Sequence, residues 1–530
     1  MSQEKDEIKS VNDVARKLLG EESEPAEPAI KVADEADAGI YLSGSISHIS
    51  TQTGRVLSGI DVFRFGEGYV TVNAQSGEMT PLDPMRFCSW CEKQLYYYRL
   101  KENNPVVVSL AKDYAARIMA ADQFAEHIRH LLSVNSARLP VRRADGGLDL
   151  LEPGYDSQSQ IFTAPAVGYD TEMSLEAAKD WLEGIYGQFA WNEEAATIFE
   201  KRSFSAHIAA SVGNFCRAMF PVATPKPMIV FNGNQPGTGK SLLMRCALVP
   251  VFGMTEEHSK SKSEEELRKV LDSVTIARRP YLALDDVAYL NSNDLNSFIT
   301  SPIHAPRILG QSRTVTCPNV TQVFSTGNGL KVTPDLERRS LLVDLFEAGR
   351  ALEKQVENPI TSAWLWENKT RAKFLSAFWA LVKNWKEGGC PVYRETTRQS
   401  FELYSQTVGS IMIEAGFCNP FAKRESALGG DEEGRALEML LADLVGGLNE
   451  AESFTAGQIS EEATQRGYID SIFPYAVKDT AKALGQKLKK LRGRHLVDSR
   501  GRKYEWGKRT VSAGALYQVN FIQHEQVEAF

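Results

Sequence analysis

The sequence predicts a multidomain α/β protein with a parallel sheet in its central domain, and three apolar stretches lead to this prediction. The first, residues 228–231, runs into a glycine-rich turn, and the second, residues 281–284, ends in two aspartates. The third, residues 322–325, ends in Thr326-Gly-Asn-Gly. Short apolar runs are typical of buried strands, and ligands of open α/β sheets bind at the carboxyl edge. We therefore expect the polar residues after these strands to form one site.

Length and composition limit the possible classes of protein. A chain of 530 residues is too long for one hydrophobic core and suggests roughly three or four domains. Its net charge of −8 excludes a uniformly basic surface, so any contact with DNA must come from local patches. No apolar run approaches the roughly 20 residues that span a bilayer. We therefore expect a cytoplasmic protein without a membrane partner.

The first segment of the chain is strongly acidic. Residues 1–40 contain eleven acidic and five basic side chains, which is too polar a composition to form a core. We expect a disordered acidic tail, which could dock a partner protein.

Residues 41–165 are predicted to form an α+β N-terminal domain. Two strands are expected on either side of a turn at residues 66–68, followed by helices at about residues 83–99 and 107–132. Tyr96-Tyr97-Tyr98 is interpreted as an aromatic face of the first helix rather than as a base-stacking surface.

Cys88 and Cys91 form a Cys-x-x-Cys pair in this domain. A structural zinc site needs two further ligands, and the other five cysteines are scattered singly. Two partly buried helix cysteines are the favoured interpretation, and a metal completed by distant ligands remains the alternative.

The stretch after the first apolar strand has the chemistry of a phosphate-binding loop. Its glycines let backbone N–H groups turn toward phosphates, its lysine reaches the outer phosphates, and its serine can hold Mg²⁺. An asparagine stands where the first glycine of such loops is usual. The residues predicted to bind the triphosphate are Asn234, Gln235, Pro236, Gly237, Thr238, Gly239, Lys240 and Ser241.

The two later strands supply candidate catalytic residues. Asp285 is placed to hold Mg²⁺ together with Ser241, and Asp286 to orient or deprotonate the attacking water. The aspartate pair could instead cap the following helix. The amide of Asn328 can hydrogen-bond both the γ-phosphate and that water. Arg338 or Arg339, preferably Arg339, is expected to reach the γ-phosphate of a neighbouring subunit as an arginine finger, although surface salt bridges are the ordinary role of such arginines.

An insertion between the second and third strands is predicted to form a hairpin that turns at residues 310–312. In a ring its basic residues, Arg307 and Arg313, could follow the phosphates of a threaded DNA strand. The alternative is a hairpin that braces the interface between subunits. Residues 351–430 are predicted to be a helical lid and linker over the nucleotide, with Arg371 as a candidate nucleotide-binding residue.

The last segment, residues 431–530, is predicted to contain three helices and a β-hairpin, which together describe a winged helix. It is locally basic, and a solvated charged face is the alternative to DNA binding. The predicted DNA-binding residues here are Lys487, Lys489, Lys490, Arg492, Arg494, Arg502 and Lys503.

With these residues in place, the chain resembles the AAA+ replicative helicase-like proteins of phages and mobile elements, which are related to MCM and superfamily 3 helicases. The motifs that carry the likeness lie at residues 152–156, 236–241, 265–269, 307–310, 326–328 and 335–339. With the predicted winged helix they extend over roughly residues 70–520.

The resemblance implies an AAA+ ATPase core at residues 166–350, with Asn328 as its sensor and Arg371 as a second sensor. It implies a ring, usually a hexamer, that hydrolyses ATP with Mg²⁺ between subunits. The function it implies is an ATP-dependent DNA helicase that translocates on single-stranded DNA during replication of a phage or mobile element, with the acidic tail contacting other replication proteins. The alternative is an initiator or helicase loader that binds DNA without unwinding it.

Overall fold

The computed structural model describes residues 39–521 apart from a set of gaps. The gaps are residues 43, 165–166, 194, 254, 260–262, 288, 291, 308–313, 329, 333, 348–358, 423–431, 474–476, 491–494, 499, 501 and 512–513. Residues 1–38 of the predicted acidic tail 1–40, together with the predicted DNA-binding residues Arg313, Arg492 and Arg494, therefore lie outside the described residues. Gly39 and Ile40, the last two residues of that predicted tail, belong to a strand instead. The chain divides into two compact units, Met1–Leu132 and Ser133–Phe530.

The described part of the first unit combines short helices with two three-stranded sheets. The helices are α1 (Ile46–Leu57), α2 (Pro84–Gln94), α3 (Lys112–Met119) and α4 (Asp122–Ala125). The strands are β1 (Gly39–Tyr41), β2 (Val62–Phe65), β3 (Gly68–Val72), β4 (Met79–Leu82), β5 (Tyr96–Lys101) and β6 (Asn104–Val108). One sheet has the order β1-β5-β6 and the other β2-β3-β4. Side chains from α1 to α4 form one core with them, so this unit is α+β as expected.

Two helix predictions in this unit are wrong in extent. The helix expected over residues 83–99 ends at Gln94, because Tyr96 to Tyr98 pair with Gly39 to Tyr41 in a parallel ladder. The helix expected over residues 107–132 begins only at Lys112, because the β-branched Val106 to Val108 belong to β6. The three tyrosines therefore lie on a strand and alternate between its two faces.

Cys88 and Cys91 lie on α2 and face its buried side. Both thiols are buried in the described structure, and burial raises the pKa of each. The described residues contain no group of three or more His, Cys, Asp or Glu side chains arranged to hold a metal ion. The favoured interpretation, two buried helix cysteines, agrees with this arrangement.

The boundary between the units lies after Leu132 rather than near residue 165. Residues 133–163 form short strands that pack on the second unit: β7 (Ser133–Asn135), β8 (Pro140–Arg142), β9 (Leu148–Leu150), β10 (Gly154–Asp156) and β11 (Ile161–Thr163). Ser136 Oγ donates to the carbonyl of Val251, and the Arg217 guanidinium donates to Asn135 Oδ1. These bonds attach the segment to the second unit, which corrects the predicted domain limit.

A five-stranded parallel sheet forms the centre of the second unit. Its strands are β12 (Met228–Gly233), β13 (Glu257–Ser259), β14 (Tyr281–Asp285), β18 (Gln322–Asn328) and β20 (Ser340–Leu345), in the order β13-β14-β18-β12-β20. Short strand pairs lie outside this sheet: β15 (Tyr289–Leu290) with β19 (Lys331–Val332), and β16 (Ile303–His304) with β17 (Cys317–Pro318). The register places Gly233 opposite Asn328 and Leu284 opposite Ser325. The carboxyl ends of β12, β14 and β18 therefore meet at one edge.

Helices cover the sheet. They are α5 (Leu175–Tyr186), α6 (Arg202–Phe215), α7 (Lys240–Phe252), α8 (Glu264–Ile276), α9 (Asn293–Thr300), α10 (Pro334–Glu337), α11 (Ser362–Trp366), α12 (Asn368–Glu387) and α13 (Glu402–Glu414). α8 begins as its sequence predicts, since Ser263 Oγ accepts the Glu266 N–H. Phe374 and Trp385 of α12 are buried in the same cluster as Phe231 of β12. The helices expected in residues 351–430 are present as α11, α12 and α13, and α12 shares the core of the sheet.

The last described segment has its own core. Its elements are α14 (Glu432–Gly446), β21 (Ser453–Thr455), α15 (Ala456–Gln465), α16 (Ile469–Ile472), α17 (Thr480–Lys490), β22 (His495–Val497), β23 (Lys503–Val511) and β24 (Gly514–Phe521). The strands pair antiparallel in the order β21-β24-β23-β22. Leu440, Leu484, Leu488 and Trp506 are buried together between the helices and this sheet.

The contact between α6 and α13 yields a stability prediction. A Cβ added at Gly213 would lie 2.0 Å from Tyr404 Oη, and Tyr404 is fully buried. Gly213→Ala should therefore lower the free energy of unfolding by about 1–3 kcal/mol, although alanine favours helix by about 1 kcal/mol. The midpoint of urea unfolding measures the change. Gly184→Ala is the matched control in α5, where a Cβ would meet open space, and it should be neutral or stabilising. Equal effects of the two substitutions would contradict the prediction.

Candidate nucleotide-binding site

Residues 234–239 form the turn between β12 and α7. Gly239 precedes the helix with a φ of +93°, and no side chain caps the helix start. A Cβ at Gly239 would lie 2.6 Å from the Phe189 ring, so both the backbone conformation and the space favour glycine. The first N–H groups of α7 have no intrahelical partner, and the helix dipole favours negative charge at this end. The turn is therefore suited to an anion.

Lys240 is folded into this turn. Its side chain is only 7% exposed, and its Nζ donates to Gln235 O and to Thr238 Oγ1, both at 3.0 Å. Burial lowers the pKa of Lys240, and the charges of Asp286 and Asp285 oppose that shift. A bound phosphate would replace neutral acceptors with an anion and so favour the charged lysine.

Asn234 occupies the position where a loop glycine was expected, and its side chain has a structural role. Asn234 Nδ2 donates to the carbonyl of Glu347 at 2.8 Å, and Asn234 Oδ1 accepts the Glu347 N–H at 3.0 Å. Gln235 Nε2 donates to the same carbonyl at 2.8 Å. The phosphate loop is therefore joined to the chain just after β20. A Cβ at Gly233 would lie 2.4 Å from Thr238 Oγ1, so the close approach that needs glycine occurs one residue earlier.

The structure brings Ser241 and Asp285 together, as the sequence predicted. Ser241 Oγ donates to Asp285 Oδ1 at 2.7 Å. Neighbouring ligands of an octahedral Mg²⁺ with bonds of about 2.1 Å lie roughly 3 Å apart, and hydroxyl and carboxylate oxygens suit this ion. The two side chains therefore fit as adjacent donors to a magnesium ion.

Thr326 is a site residue that sequence reasoning missed. Its Oγ1 donates to Asp285 Oδ1 at 2.5 Å and accepts the backbone N–H of Asp286 at 3.0 Å. Thr326 lies two positions before Asn328 and therefore on the same face of the strand. This spacing could have pointed to Thr326 from the sequence. Thr326 fixes both aspartates to β18.

Asp286 and Asn328 have features that are common at functional sites. Asp286 adopts a φ of +53°, which costs a non-glycine residue about 1–2 kcal/mol, and its side chain is exposed. Asn328 Oδ1 is buried without a hydrogen-bond partner among the described residues. A buried amide oxygen without a partner is rare, and it can be satisfied by a bound water or ligand. Asn328 stands opposite Gly233, at the entrance to the phosphate loop.

The two adjacent arginines have different environments. Arg339 is 18% exposed in its side chain, and its guanidinium donates to Asn296 O and Thr300 Oγ1 of α9. Arg338 is 54% exposed and pairs with Asp335. Arg339, which was preferred from the sequence, is thus engaged within its own chain, whereas Arg338 faces solvent.

Arg371 does not lie near the phosphate loop. Its guanidinium donates to Ser136 Oγ and to the carbonyl of Pro250, near the far end of α7. That position is about 15 Å along the helix from Lys240 at 1.5 Å per residue. Arg371 is thus placed to hold α12 against α7, and its predicted contact with nucleotide is wrong.

The predicted DNA-binding residues also fall into different environments. Arg307 is exposed and forms an isolated antiparallel bridge with Thr314, and residues 308–313, which include the predicted turn, lie outside the described residues. Lys503 is exposed at the start of β23, and Lys487 lies 5.4 Å from the centre of the Phe473 ring. Lys489 and Lys490 belong to the last turn of α17.

Arg502 is a structural residue. It donates to Asp498 Oδ2 and to the carbonyls of Val445 and Leu448, and so ties the turn between β22 and β23 to the end of α14. The prediction that Arg502 binds DNA is corrected, because its guanidinium is engaged inside the domain.

Comparison with known proteins gives distant likenesses only. No protein-family model matches the chain, and no curated protein matches it. Among solved structures, the C-terminal region of NrS-1 in its apo form covers 89% of this chain and 100% of its own, with 13% identity and a TM-score of 0.37. A structure described as SCCmec type IV Cch, active helicase, covers 79% of this chain and 90% of its own, with 12% identity and a TM-score of 0.32. No helix among the described residues is long and apolar enough to cross a membrane.

The bonds of Asn234 give a prediction for nucleotide affinity. Asn234→Ala removes two side-chain hydrogen bonds, each worth about 0.5–1 kcal/mol, and should raise the Kd for ATP about five- to thirtyfold. Titration with a fluorescent ATP analogue measures this. Asn73→Ala is the control, since Asn73 Oδ1 also accepts backbone N–H groups but lies in the first unit. An unchanged Kd in Asn234→Ala would contradict a role for these bonds in shaping the loop.

Proposed function

We propose that this protein is a DNA helicase that is driven by its own ATPase activity. The observation that carries the proposal is the convergence of Lys240, Ser241, Asp285 and Asn328 at one sheet edge, with the Asn328 oxygen buried and without a partner among the described residues. The site offers a cation, two potential magnesium ligands and a polar amide beside a helix start whose N–H groups have no intrahelical partner. These are the groups that phosphoryl transfer requires.

Each group in the site has a distinct role in this proposal. The N–H groups at the start of α7 and the Lys240 ammonium bind the phosphates. Ser241 and Asp285 would hold Mg²⁺, which would supply positive charge to the phosphate oxygens. Asp286 accepts a proton from the attacking water, and Asn328 orients that water. Asp286 is shorter by one methylene than the glutamate of many related enzymes, so we expect hydrolysis to be slow and binding to be retained.

Part of the site is proposed to come from a second copy of the chain. Arg338 is exposed and mounted on a short turn, so it can leave its own surface and reach the γ-phosphate bound by a neighbour. A ring, most simply a hexamer, would place one such arginine at every interface. An isolated subunit is then expected to bind ATP and to hydrolyse it poorly.

DNA contact is proposed at two places. The antiparallel pair β16–β17 and the Arg307–Thr314 bridge support a hairpin that projects toward a threaded single strand. The order of helices and strands from α14 to β24 supports a winged helix, in which the exposed Lys503 contacts phosphate. This proposal also includes a role in the replication of a phage or mobile element, a cytoplasmic location, and the docking of other replication proteins by residues 1–38.

The decisive experiment measures ATP hydrolysis and strand separation together. Purified protein should hydrolyse ATP faster with single-stranded DNA and should unwind a forked duplex, and Lys240→Ala should reduce both rates at least a hundredfold. Lys369→Ala is the matched control, since Lys369 is exposed near the start of α12 and pairs with Glu367. The ATPase proposal fails if the wild-type protein binds ATP without hydrolysing it.

The same experiment separates the helicase from the initiator or helicase loader. A loader should hydrolyse ATP and bind DNA but leave forked duplexes of either polarity intact. Arg307→Ala distinguishes the two further, because it should slow unwinding by a helicase and leave the ATPase rate measured without DNA unchanged.

A further inference from the structure

The backbone at Glu337 and Arg338 accepts two hydrogen bonds from the side chain of Arg398. Arg398 Nε donates to the carbonyl of Arg338 at 2.9 Å, and its Nη2 donates to the carbonyl of Glu337 at 3.0 Å. Glu337 is the last residue of the short helix α10 and Arg338 follows it, and carbonyls at a helix end lack intrahelical partners. The planar fork of a guanidinium is suited to two acceptors in a fixed arrangement.

Arg398 is itself fixed to α13. Its backbone N–H donates to Ser405 Oγ at 2.9 Å, and its carbonyl accepts the Phe401 N–H at 3.0 Å. Phe401 is 1% exposed and is buried in one cluster with Leu336 of α10 and Leu342 of β20. The arginine therefore projects from an anchored segment and not from a loose loop.

The turn is held on its other side by Arg339, whose guanidinium donates to Asn296 O and Thr300 Oγ1 of α9. Between these two supports, Arg338 projects into solvent and pairs with Asp335, whose pKa is lowered by the hydrogen bond from Arg338. The main chain at Arg338 is thus restrained while its side chain can exchange Asp335 for another anion.

We propose that Arg398 is a positioning residue for the part of the ATP site that one subunit contributes to the neighbouring subunit. This inference rests on the proposed function, in which Arg338 contacts the γ-phosphate of a neighbouring copy. By holding the carbonyls of Glu337 and Arg338, Arg398 fixes the position of the backbone from which the Arg338 guanidinium extends toward that γ-phosphate. A displacement of about 1 Å in such a group can cost a hundredfold in rate.

The first test measures steady-state ATP hydrolysis by the full chain. Arg398→Gln should lower kcat about tenfold with little change in KM, since the variant leaves the phosphate loop intact. Arg338→Ala should lower kcat at least a hundredfold. Arg398→Lys, which can donate to one of the two carbonyls, should fall between Arg398→Gln and the wild type. Arg394→Gln is the matched control, because Arg394 is exposed four residues earlier in the same segment.

The second test mixes subunits of two impaired variants, which reports the side of the interface on which a residue acts. Lys240→Ala spoils the phosphate loop and keeps the Arg338 turn, whereas Arg338→Ala does the reverse. Mixing these two should restore activity at interfaces that combine the intact halves. If Arg398 acts through the Arg338 turn, Arg398→Gln should regain activity with Lys240→Ala and should not regain it with Arg338→Ala.

The outcomes separate this inference from the proposed function. If Lys240→Ala and Arg338→Ala fail to restore each other, the shared ATP site itself is wrong. If these two variants do restore each other, but Arg398→Gln keeps wild-type kcat or is restored by Arg338→Ala, only the positioning role of Arg398 is overturned. Thermal melting shows whether Arg398→Gln remains folded. If it does not, Arg398→Lys is mixed in its place, and the same two pairings support or overturn the proposal.

Discussion

A single carboxylate oxygen, Asp285 Oδ1, joins three segments that are far apart in the sequence. It accepts hydrogen bonds from Ser241 in the first turn of α7 and from Thr326 in β18. Thr326 also holds the backbone of Asp286. The whole arrangement depends on the order of the sheet, because β18 lies between β12 and β14 and its polar end reaches both. Any other strand between them would leave Asn328 away from the phosphate loop.

Four strands of the central sheet, β12, β14, β18 and β20, could be predicted from the sequence because they are largely buried on both faces. Such strands appear as continuous apolar runs, and the first polar residue after each run marks the carboxyl edge. Asp285 was placed at this edge in this way, and Asn328 was proposed from the polar residues that end the third strand. The predictions for the first unit failed where the signal was not local. Tyr96 to Tyr98 extend an apparent helix in the sequence, but pairing with a distant strand at Gly39 to Tyr41 overrides that local pattern.

The arginines illustrate a second limit of sequence reasoning. Residue type and position suggest which arginines can bind phosphate, but they do not reveal backbone acceptors supplied by other elements. Arg371, Arg502 and Arg398 each donate to main-chain carbonyls and thereby hold helices or turns in place. Arg339 is engaged in the same way. Partners at long sequence separation therefore decide which guanidinium groups remain available to a ligand.

Asn234 has a consequence for how proteins of this kind can be detected. Its amide both donates to and accepts from the backbone of Glu347, so it extends the pairing of β12 with β20 by one side-chain link. Aspartate could only accept, and alanine could do neither. A search pattern that demands glycine at this position would therefore pass over a loop whose geometry is intact. Here the physical requirement is for a compact loop anchored to its neighbour, and two different residue types can meet it.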